Sequence, residues 1–287
     1  MTKVRVAAPA KVNLTLEVLG RRADGYHDLA SVMATIDLVD DVRVAPARAL
    51  DVRIGPPVGA PRGEDLASRA ARAIAAACGR EPRVHVRIRK RIPVAAGLGG
   101  GSSDAGAVLR AAARLWGERG LDLVRIAAEV GSDVPFFAAA HAVARIAGRG
   151  EQVDALPAPG GPMWIVLVTS SVRLATRDVF AALGAVRSDG DATAELAAAF
   201  ARGSVDARTV RPLLRNDLTT AAERIAPSVA EARSAAKARG IDLHLSGSGP
   251  SLFALADDRA RAIHMARSLR RVGLRARPSQ LAYTPPS

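Results

Sequence analysis

A glycine-rich segment with two serines, PVAAGLGGGSS at residues 93–103, holds the residue types best suited to binding a phosphate. Four of the five residues from Gly97 to Gly101 are glycines, so backbone N–H groups can approach a ligand closely. The alanine-rich sequence that follows predicts a helix from about Ser103 to Trp116, whose first turn adds unpaired amides and the positive end of a dipole. The segment therefore predicts a cradle for the phosphates of a nucleoside triphosphate. Its members are Pro93, Val94, Ala95, Ala96, Gly97, Leu98, Gly99, Gly100, Gly101, Ser102 and Ser103.

Other interpretations of this segment fit its residues less well. No Gly-Lys-Ser/Thr follows, as a Walker loop requires, and the glycines lack the G-x-G-x-x-G spacing of a dinucleotide fingerprint. Ser102 or Ser103 could cap a helix that binds nothing. A cap needs one serine and one glycine at most, whereas glycines are in surplus here. The spacing indicates a third kind of phosphate-binding loop.

Length and composition favour a soluble two-domain enzyme. The 287 residues are 49% hydrophobic, enough for one large core or two ordinary ones. The longest apolar run, residues 134–144, is well short of the roughly 18 residues that span a bilayer and contains His141. The first residues carry no cleavable signal pattern. Cys78 is the single cysteine, so an internal disulfide is excluded and a reducing, cytoplasmic location is expected.

The net charge of +13 raises nucleic-acid binding as an alternative function. The basic residues are spread along the chain without a polybasic block, and the few aromatic residues are scattered rather than interleaved with arginine. We interpret the charge as mostly solvated surface. Small-molecule substrates are expected as partners, and neither nucleic acid nor a membrane is.

Lysine is rare among the 41 basic residues, since only four are lysines. Lys11 and Lys90 are the two whose positions suggest a role. A lysine kept in so arginine-rich a chain could mark a site that needs a compact ammonium rather than a planar guanidinium, although chance survival is an alternative.

Periodicity places these residues on an alternation of strands and helices. The predicted strands are 4–8, 12–19, 29–38, 42–45, 52–54, 84–88, 163–168, 241–245, 252–256 and 274–277. The predicted helices are 66–78, 103–116, 123–130, several alanine-rich segments up to about 239, and 258–271. The sequence LPAPGGP at residues 156–162 is typical of a domain boundary, which predicts domains at 1–156 and 163–280.

Three distant segments together resemble the three motifs of the GHMP kinases, a superfamily that includes galactokinase, homoserine kinase and mevalonate kinases. They are PAKVNL at residues 9–14, the glycine-rich segment, and LSGSGPS at residues 245–251. RADGYH at 22–27, GSDVPFF at 131–137 and RNDL at 215–218 match one branch of that superfamily, in family order. The resemblance implies an α/β (α+β) fold of two domains, the first like ribosomal protein S5 and the second ferredoxin-like. The active site would lie in the cleft between them.

The activity implied by that branch is ATP-dependent phosphorylation of the tertiary C2 hydroxyl of a methylerythritol unit carried on CDP, a step of the non-mevalonate route to isoprenoids. A homoserine-type or mevalonate-type kinase is the nearest alternative, and the Tyr26-His27 pair argues against it. Magnesium is expected to bridge the ATP phosphates, held mainly by phosphates and water, with the Ser103 hydroxyl as a candidate ligand. A monomer and a homodimer are both compatible with the sequence.

By resemblance, Asp133 is the catalytic aspartate and Lys11 the catalytic lysine, on either side of the acceptor hydroxyl. Asp133 would accept the hydroxyl proton while Lys11 orients that oxygen and offsets negative charge. From spacing alone, Asp133 could instead cap a helix before Pro135, and Lys11 could be a solvated strand end.

The resemblance assigns the substrate contacts to aromatic and small residues. Tyr26 and Phe180 would sandwich the cytosine while His27 reads its edge, although Phe180 could equally be core packing in a helix. Lys90 could reach a phosphate or the nucleoside of ATP, or be a plain surface lysine. Asp65 lies in Glu-Asp-Leu where related kinases have Asp-Asn-Leu, so their adenine contacts are not carried over. The remaining predicted substrate contacts are Asn13, Gly247, Ser248 and Gly249, and the last three could also be a simple turn.

Overall fold

Two long antiparallel strands, β1 (Val4–Arg21) and β2 (His27–Pro46), form the centre of the fold in the computed structural model. The structure describes residues 3–56, 63–185, 187–203 and 205–284. Each long strand replaces two shorter predicted ones, because register shifts between Pro9 and Ala10 and between Asn13 and Thr15 interrupt the ladder without ending it. Shifts of this kind add local bend and twist to a continuous strand, so the predicted breaks are wrong.

Further strands extend the first half of the sheet on both sides of β2. β3 (Asp51–Gly55) pairs in parallel with β4 (Val84–Arg89), which pairs with β2. β5 (Val143–Gly148) also pairs with β2, and β6 (Gln152–Leu156) pairs with β5. The β5–β6 hairpin was not among the predicted strands.

Four helices cover this half of the sheet, and the central one carries the glycine-rich segment. They are α1 (Leu66–Ala77), α2 (Gly100–Trp116), α3 (Leu123–Val130) and α4 (Val134–Ala139). The predicted helices 66–78 and 123–130 are confirmed. The predicted start of α2 at Ser103 is wrong by three residues, because the left-handed Gly99 is the N-cap and both serines lie inside the first turn. Alanines 105, 107, 111 and 112 are fully buried between α2 and its neighbours, where small side chains permit close packing.

The second half of the chain adds strands β7 (Met163–Thr169), β8 (Arg215–Asn216), β9 (His244–Leu245), β10 (Leu252–Ala256) and β11 (Arg275–Leu281). Its helices are α5 (Thr176–Ala181), α6 (Asp191–Ala201), α7 (Ala207–Val210), α8 (Thr219–Ile225), α9 (Pro227–Lys237) and α10 (Arg259–Arg270). The predicted strand 241–245 is reduced to its last two residues, and the predicted strand 274–277 runs on to Leu281.

The two halves are joined through the last strand. β11 pairs along its length with β7, and at Leu281 it also pairs with Ile36 of β2. Over the described ranges the main order of the sheet is therefore β3-β4-β2-β11-β7-β10-β9, with β1, β5, β6 and β8 attached beside it. The mixed α/β class is confirmed. Residues 157–162 connect β6 to β7 without a helix or strand, and the division into domains at that point stays a prediction.

None of the helices in the described ranges combines the length and the apolar character that a membrane span requires.

Candidate active site

A cavity of about 510 Å³ lies between the two halves of the chain. Its lining brings together the N-terminal strand, the glycine-rich segment, the start of α4 and the second glycine loop, our name for residues 245–251. Among the predicted site residues that line it are Lys11, Asn13, Lys90, Pro93, Val94, Ala95, Ala96, Gly97, Leu98, Gly99, Gly100, Gly101, Ser102, Asp133, Phe180, Gly247 and Ser248. The described lining does not include Tyr26, His27, Ser103 or Gly249.

Close contact with the second glycine loop explains why the glycine-rich segment lacks side chains. Gly97 has a φ of +74°, and a Cβ placed there would lie 2.2 Å from the carbonyl oxygen of Ser246. At Gly99, with a φ of +68°, a Cβ would lie 2.9 Å from the Phe137 ring. A side chain would therefore be strained and would also collide with its neighbours at both positions.

Hydrogen bonds from distant parts of the chain hold the glycine-rich segment in place. The Lys11 N–H donates to the carbonyl of Leu98 at 3.0 Å, and the Ser251 N–H donates to that of Ala96 at 3.2 Å. The Ser246 hydroxyl donates to the carbonyl of Gly97 at 3.1 Å. Gly100, Gly101 and Ser102 line the cavity at the start of α2, where the first N–H groups of a helix have no partner within the helix and suit a phosphate.

The second glycine loop is fixed by Asn216, whose role the sequence did not indicate. Its amide nitrogen donates to the carbonyl oxygens of Leu245 and Gly247 at 2.9 and 2.8 Å. Its amide oxygen accepts the N–H of Leu218 at 2.9 Å. Only a side chain with both donors and an acceptor can make these three bonds, which accounts for an asparagine in RNDL.

Lys11 and Asp133 face each other across the cavity. The Lys11 ammonium lies 3.5 Å from a carboxylate oxygen of Asp133, and the side chains are 4% and 33% exposed. Asp133 occupies the N-cap position of α4 but makes no side-chain capping bond within the described residues, and Lys11 is buried. The two alternatives, a helix cap and a solvated strand end, therefore do not describe these residues.

Asn13 belongs to the same cluster. Its side-chain oxygen accepts from the Lys11 ammonium at 2.6 Å, and its nitrogen donates to the Ser31 hydroxyl at 2.8 Å. Asn13 thus lines the cavity beside the Lys11–Asp133 pair.

Lys90 is neither a surface lysine nor a free cation in the cavity. Its side chain is 4% exposed, and its ammonium donates to Asp40 at 2.5 Å and to Asp104 at 2.6 Å. Asp40 also accepts the N–H groups of Arg91 and Ile92. The alternative of a plain surface lysine is therefore wrong, and the contact of Lys90 with ATP stays a prediction. The cluster fastens β2 and the segment after β4 to α2.

Asp104 is the member of that cluster whose charged form is least favourable. Burial raises its pKa to about 7, with Lys90 opposing the rise and Asp40 adding to it. Its second carboxylate oxygen has no hydrogen-bond partner among the described residues. Two carboxylates thus share one ammonium in a buried site, and the protonated form of Asp104 relieves their repulsion.

Asp104→Asn is expected to flatten the pH dependence of stability. The pKa of Asp104 is about 7 in the folded chain against an ordinary value of 3.8, so its stabilising contribution is complete below about pH 4 and is lost as the pH rises through 7. The slope in between is at most about 1.4 kcal/mol per pH unit. Denaturant unfolding from pH 5 to 8.5 should show the unfolding free energy of the wild type falling relative to that of the variant. A difference that stays constant with pH would contradict this.

The three aromatic residues predicted to bind cytosine do not form the predicted sandwich in the structure. Phe180 stacks on His27, with ring centroids 5.1 Å apart and planes 25° from parallel, instead of facing Tyr26 across a gap. Tyr26 is 52% exposed, and the guanidinium of Arg149 lies 5.4 Å from its ring centre. Burial, with a smaller effect of Arg21, lowers the pKa of His27, so a neutral imidazole forms the stack at neutral pH.

Ser103 does not fit the predicted role of a magnesium ligand. Its side chain is fully buried, and its hydroxyl donates to the carbonyl oxygen of Pro9 at 2.6 Å. No cluster of three or more His, Cys, Asp or Glu side chains suited to a metal occurs in the described part of the chain. The described residues around Ser103 therefore do not fit a magnesium site.

Thr176 and Ser31 line the cavity although no local motif marks either of them. Thr176 lies on α5, 3.0 Å from Ser248, oxygen to oxygen, and Ser31 lies on β2. Asp65, in the Glu-Asp-Leu segment, also lines the cavity. Its carboxylate caps α1 by accepting from the N–H and hydroxyl of Ser68 at 2.8 and 2.7 Å.

Known proteins resemble this chain over nearly its whole length. The family model described as the GHMP kinases N terminal domain matches residues 65–141, and that of the GHMP kinases C terminal matches residues 188–274. The 4-diphosphocytidyl-2-C-methyl-D-erythritol kinase of Paramagnetospirillum magneticum is 40% identical and covers 91% of this chain and 92% of its own length. The kinase of that name from Streptomyces avermitilis is 39% identical, with 98% and 97% covered.

Solved structures agree in fold. The crystal structure of a 4-(cytidine 5'-diphospho)-2C-methyl-D-erythritol kinase superposes with a TM-score of 0.77 at 35% identity, covering 97% of this chain and 99% of that one. A homoserine kinase from Cytophaga hutchinsonii gives a TM-score of 0.76 at 18% identity, with 97% and 94% covered, which shows a common fold only. The predicted two-domain GHMP kinase fold is confirmed. The chain belongs to the GHMP kinases and, within that superfamily of small-molecule kinases, to the family of the 4-diphosphocytidyl-2-C-methyl-D-erythritol kinases.

Proposed function

We propose that this chain transfers the γ-phosphoryl group of ATP to the C2 hydroxyl of 4-diphosphocytidyl-2-C-methyl-D-erythritol. The products are the 2-phosphate and ADP, a step of the methylerythritol phosphate route to isoprenoids. The observation that carries the proposal is a single cavity lined both by the start of α2 and by the Lys11–Asp133 pair. Relatives about 40% identical over nine-tenths of the chain bear the name of this activity.

The donor half of the proposed site is the glycine-rich segment with the first turn of α2. Its backbone amides and the helix dipole would hold the phosphates of ATP. Magnesium belongs to the substrate, bound by the phosphates and water. The adenine would lie toward Asp65, Leu66 and Val94, which line the same cavity.

The acceptor half is the Lys11–Asp133 pair. In the proposed reaction the C2 oxygen forms a bond to the γ-phosphorus. The bond from that phosphorus to the β,γ-bridging oxygen breaks, and the bridging oxygen leaves with ADP. The hydroxyl proton passes to a carboxylate oxygen of Asp133. The Lys11 ammonium orients the acceptor oxygen and offsets the charge that moves toward it. A phosphoryl transfer of this kind needs positioning and electrostatics more than covalent chemistry from the protein.

The cytidine end of the acceptor is proposed to bind beside the stacked His27–Phe180 pair. Phe180 lines the cavity and stacks on His27, so its ring would contact the base while a neutral His27 offers a ring nitrogen to the edge of the base. Gly247 and Ser248 would contact the diphosphate through backbone amides. Tyr26 is 52% exposed, which leaves its ring open to stacking by a base from outside the cavity.

Phe180→Ala is expected to raise the KM for the cytidine substrate by roughly tenfold or more, since stacking on an aromatic ring is worth about 1–3 kcal/mol per base. The KM for ATP should stay within about twofold, because Phe180 belongs to the acceptor end. Steady-state kinetics with each substrate varied in turn measures both constants. Equal rises in the two values would contradict the assignment of this end to cytidine.

An acceptor-dependent turnover assay tests the proposed function. Release of ADP should require 4-diphosphocytidyl-2-C-methyl-D-erythritol and should be absent with homoserine or mevalonate. Turnover on either control would favour another GHMP activity. Affinity for DNA or RNA that falls steeply with salt, without ATP turnover, would instead support the nucleic-acid alternative raised by the charge of +13.

A further inference from the structure

A series of hydrogen-bonded polar groups runs from the proposed catalytic pair into the central sheet. The Asp133 carboxylate lies 3.5 Å from the Lys11 ammonium, which donates to Asn13 at 2.6 Å. The Asn13 nitrogen donates to the Ser31 hydroxyl at 2.8 Å, and that hydroxyl donates to the carbonyl oxygen of Thr15 at 2.5 Å. Asn13 and Ser31 are each 1% exposed, so water does not compete for these bonds.

The Thr15 carbonyl, at the far end of this series of hydrogen bonds, sets the direction of every bond in the series. A carbonyl oxygen only accepts, so the proton of Ser31 is committed to Thr15 and the Ser31 oxygen is left as an acceptor. That oxygen requires the amide nitrogen of Asn13, not its oxygen. The Asn13 oxygen must then face Lys11, where an ammonium, which only donates, needs an acceptor.

The register shift in β1 makes the Thr15 carbonyl available for this task. Asn13 pairs with Met33 and Thr15 with Val32, so Leu14 has no partner in the register. The Val32 N–H donates to the Thr15 hydroxyl at 2.8 Å. A bulge of this kind re-aims groups next to a functional site, and here it turns a main-chain acceptor toward Ser31.

We propose that Ser31 is a positioning residue for phosphoryl transfer: it fixes the Asn13 carboxamide so that its oxygen holds the Lys11 ammonium toward Asp133. The inference rests on the proposed roles of Lys11 and Asp133. Ser31 lines the cavity, but its hydroxyl is occupied at both ends by protein groups, so it acts through Asn13 and not on the substrate.

Without the hydroxyl, the Asn13 nitrogen loses its acceptor and the Lys11 ammonium alone orients the carboxamide. The carboxamide is then free to rotate, and its oxygen no longer holds the ammonium on the line to Asp133. A displacement of about 1 Å in a reacting group can cost on the order of 100-fold in rate.

Ser31→Ala is therefore expected to lower kcat by roughly 10- to 100-fold, with the KM for ATP unchanged within about twofold. Ser31→Thr, which keeps the hydroxyl, should restore kcat to within about threefold of the wild type. Thr35→Val is the matched control: Thr35 is a buried residue of the same strand whose hydroxyl donates to the carbonyl oxygen of Tyr283 at 2.6 Å. It should lower the melting temperature and leave kcat unchanged.

A double-mutant cycle with Asn13→Ala separates positioning from a general loss of structure. If Ser31 acts through Asn13, Ser31→Ala should cost nothing further in kcat once Asn13 is already alanine. The same loss in both backgrounds would overturn the inference, as would a thermally stable Ser31→Thr that is as inactive as Ser31→Ala. Normal turnover of Ser31→Ala alone overturns the inference and leaves the proposed function intact, whereas normal turnover of Lys11→Met would overturn the proposed function itself.

Discussion

Asp133→Asn is expected to lower kcat by roughly 10²- to 10⁴-fold, the usual contribution of a positioned general base, while the affinity for ATP stays within about twofold. Asparagine keeps the shape of the side chain and a carbonyl oxygen, but it cannot take up the proton of the acceptor hydroxyl. The change therefore removes proton acceptance and, with it, the negative charge that faces the Lys11 ammonium. Rapid-quench measurement of the chemical step, beside equilibrium binding of ATP, separates the two effects.

Asp133→Asn should remove no cap from α4, although it takes the anion away from the buried Lys11 ammonium. Asp133 makes no side-chain capping bond to α4 within the described residues, and a third of its side chain is exposed. Asp122 is the matched control, because it holds the same position at the neighbouring helix α3 and does accept an N–H, that of Arg125, at 2.9 Å. Asp122→Ala should lower the unfolding free energy by about 1 kcal/mol and leave kcat alone. Unimpaired turnover in Asp133→Asn would rule out Asp133 as the base.

The contrast between these two aspartates shows what the sequence could establish about the site. Both precede a helix, and local spacing alone allows either to be a cap. The GSDVPFF motif distinguished the two aspartates, because it matches Asp133, and not Asp122, to the aspartate of a family motif. The glycine-rich segment was predictable for a different reason. Four glycines in five residues exceed what a turn needs, and the unpaired amides and dipole at the start of a helix indicate an anionic ligand such as a phosphate.

Bonds between distant positions account for most of the errors. Lys90 is held by Asp40, 50 residues before it, and the Ser103 hydroxyl is bound to the carbonyl of Pro9, 94 residues away. No local pattern predicts such partners. The same holds for Phe180, which stacks on His27 rather than opposite Tyr26, because the packing of α5 against the start of β2 sets which rings meet.

The predicted boundaries of β1 and β2 are wrong for a related reason. A run such as 4–19 contains Pro9, which usually ends a central strand because it lacks an N–H. In the structure a register shift falls directly after Pro9 and the strand continues to Arg21. The shift between Asn13 and Thr15 was equally invisible in the sequence, yet it orients the groups behind Lys11.

Lys11→Met is the second change with a large expected effect, a loss of about 100- to 1,000-fold in kcat. Methionine fills a similar volume but removes the charge that faces the transferred group, and it leaves the Asn13 oxygen without its donor. Binding of ATP to the amides of the glycine-rich segment should persist. Retention of turnover would exclude an electrostatic role for Lys11.

Lys11→Arg should fail almost as badly, although arginine keeps the charge. The Lys11 side chain is 4% exposed, and its stem is packed so tightly that a Cβ on Gly99 would lie 3.0 Å from Cγ of Lys11. A planar guanidinium is wider than an ammonium and cannot occupy that space with the same direction toward Asp133. Lys237→Arg provides the control, because Lys237 is 72% exposed and pairs only loosely with Asp242 at 3.3 Å. In a chain where 41 basic residues include just four lysines, unchanged activity of Lys237→Arg beside inactive Lys11→Arg would show that one lysine survived by chance and the other because the site requires it.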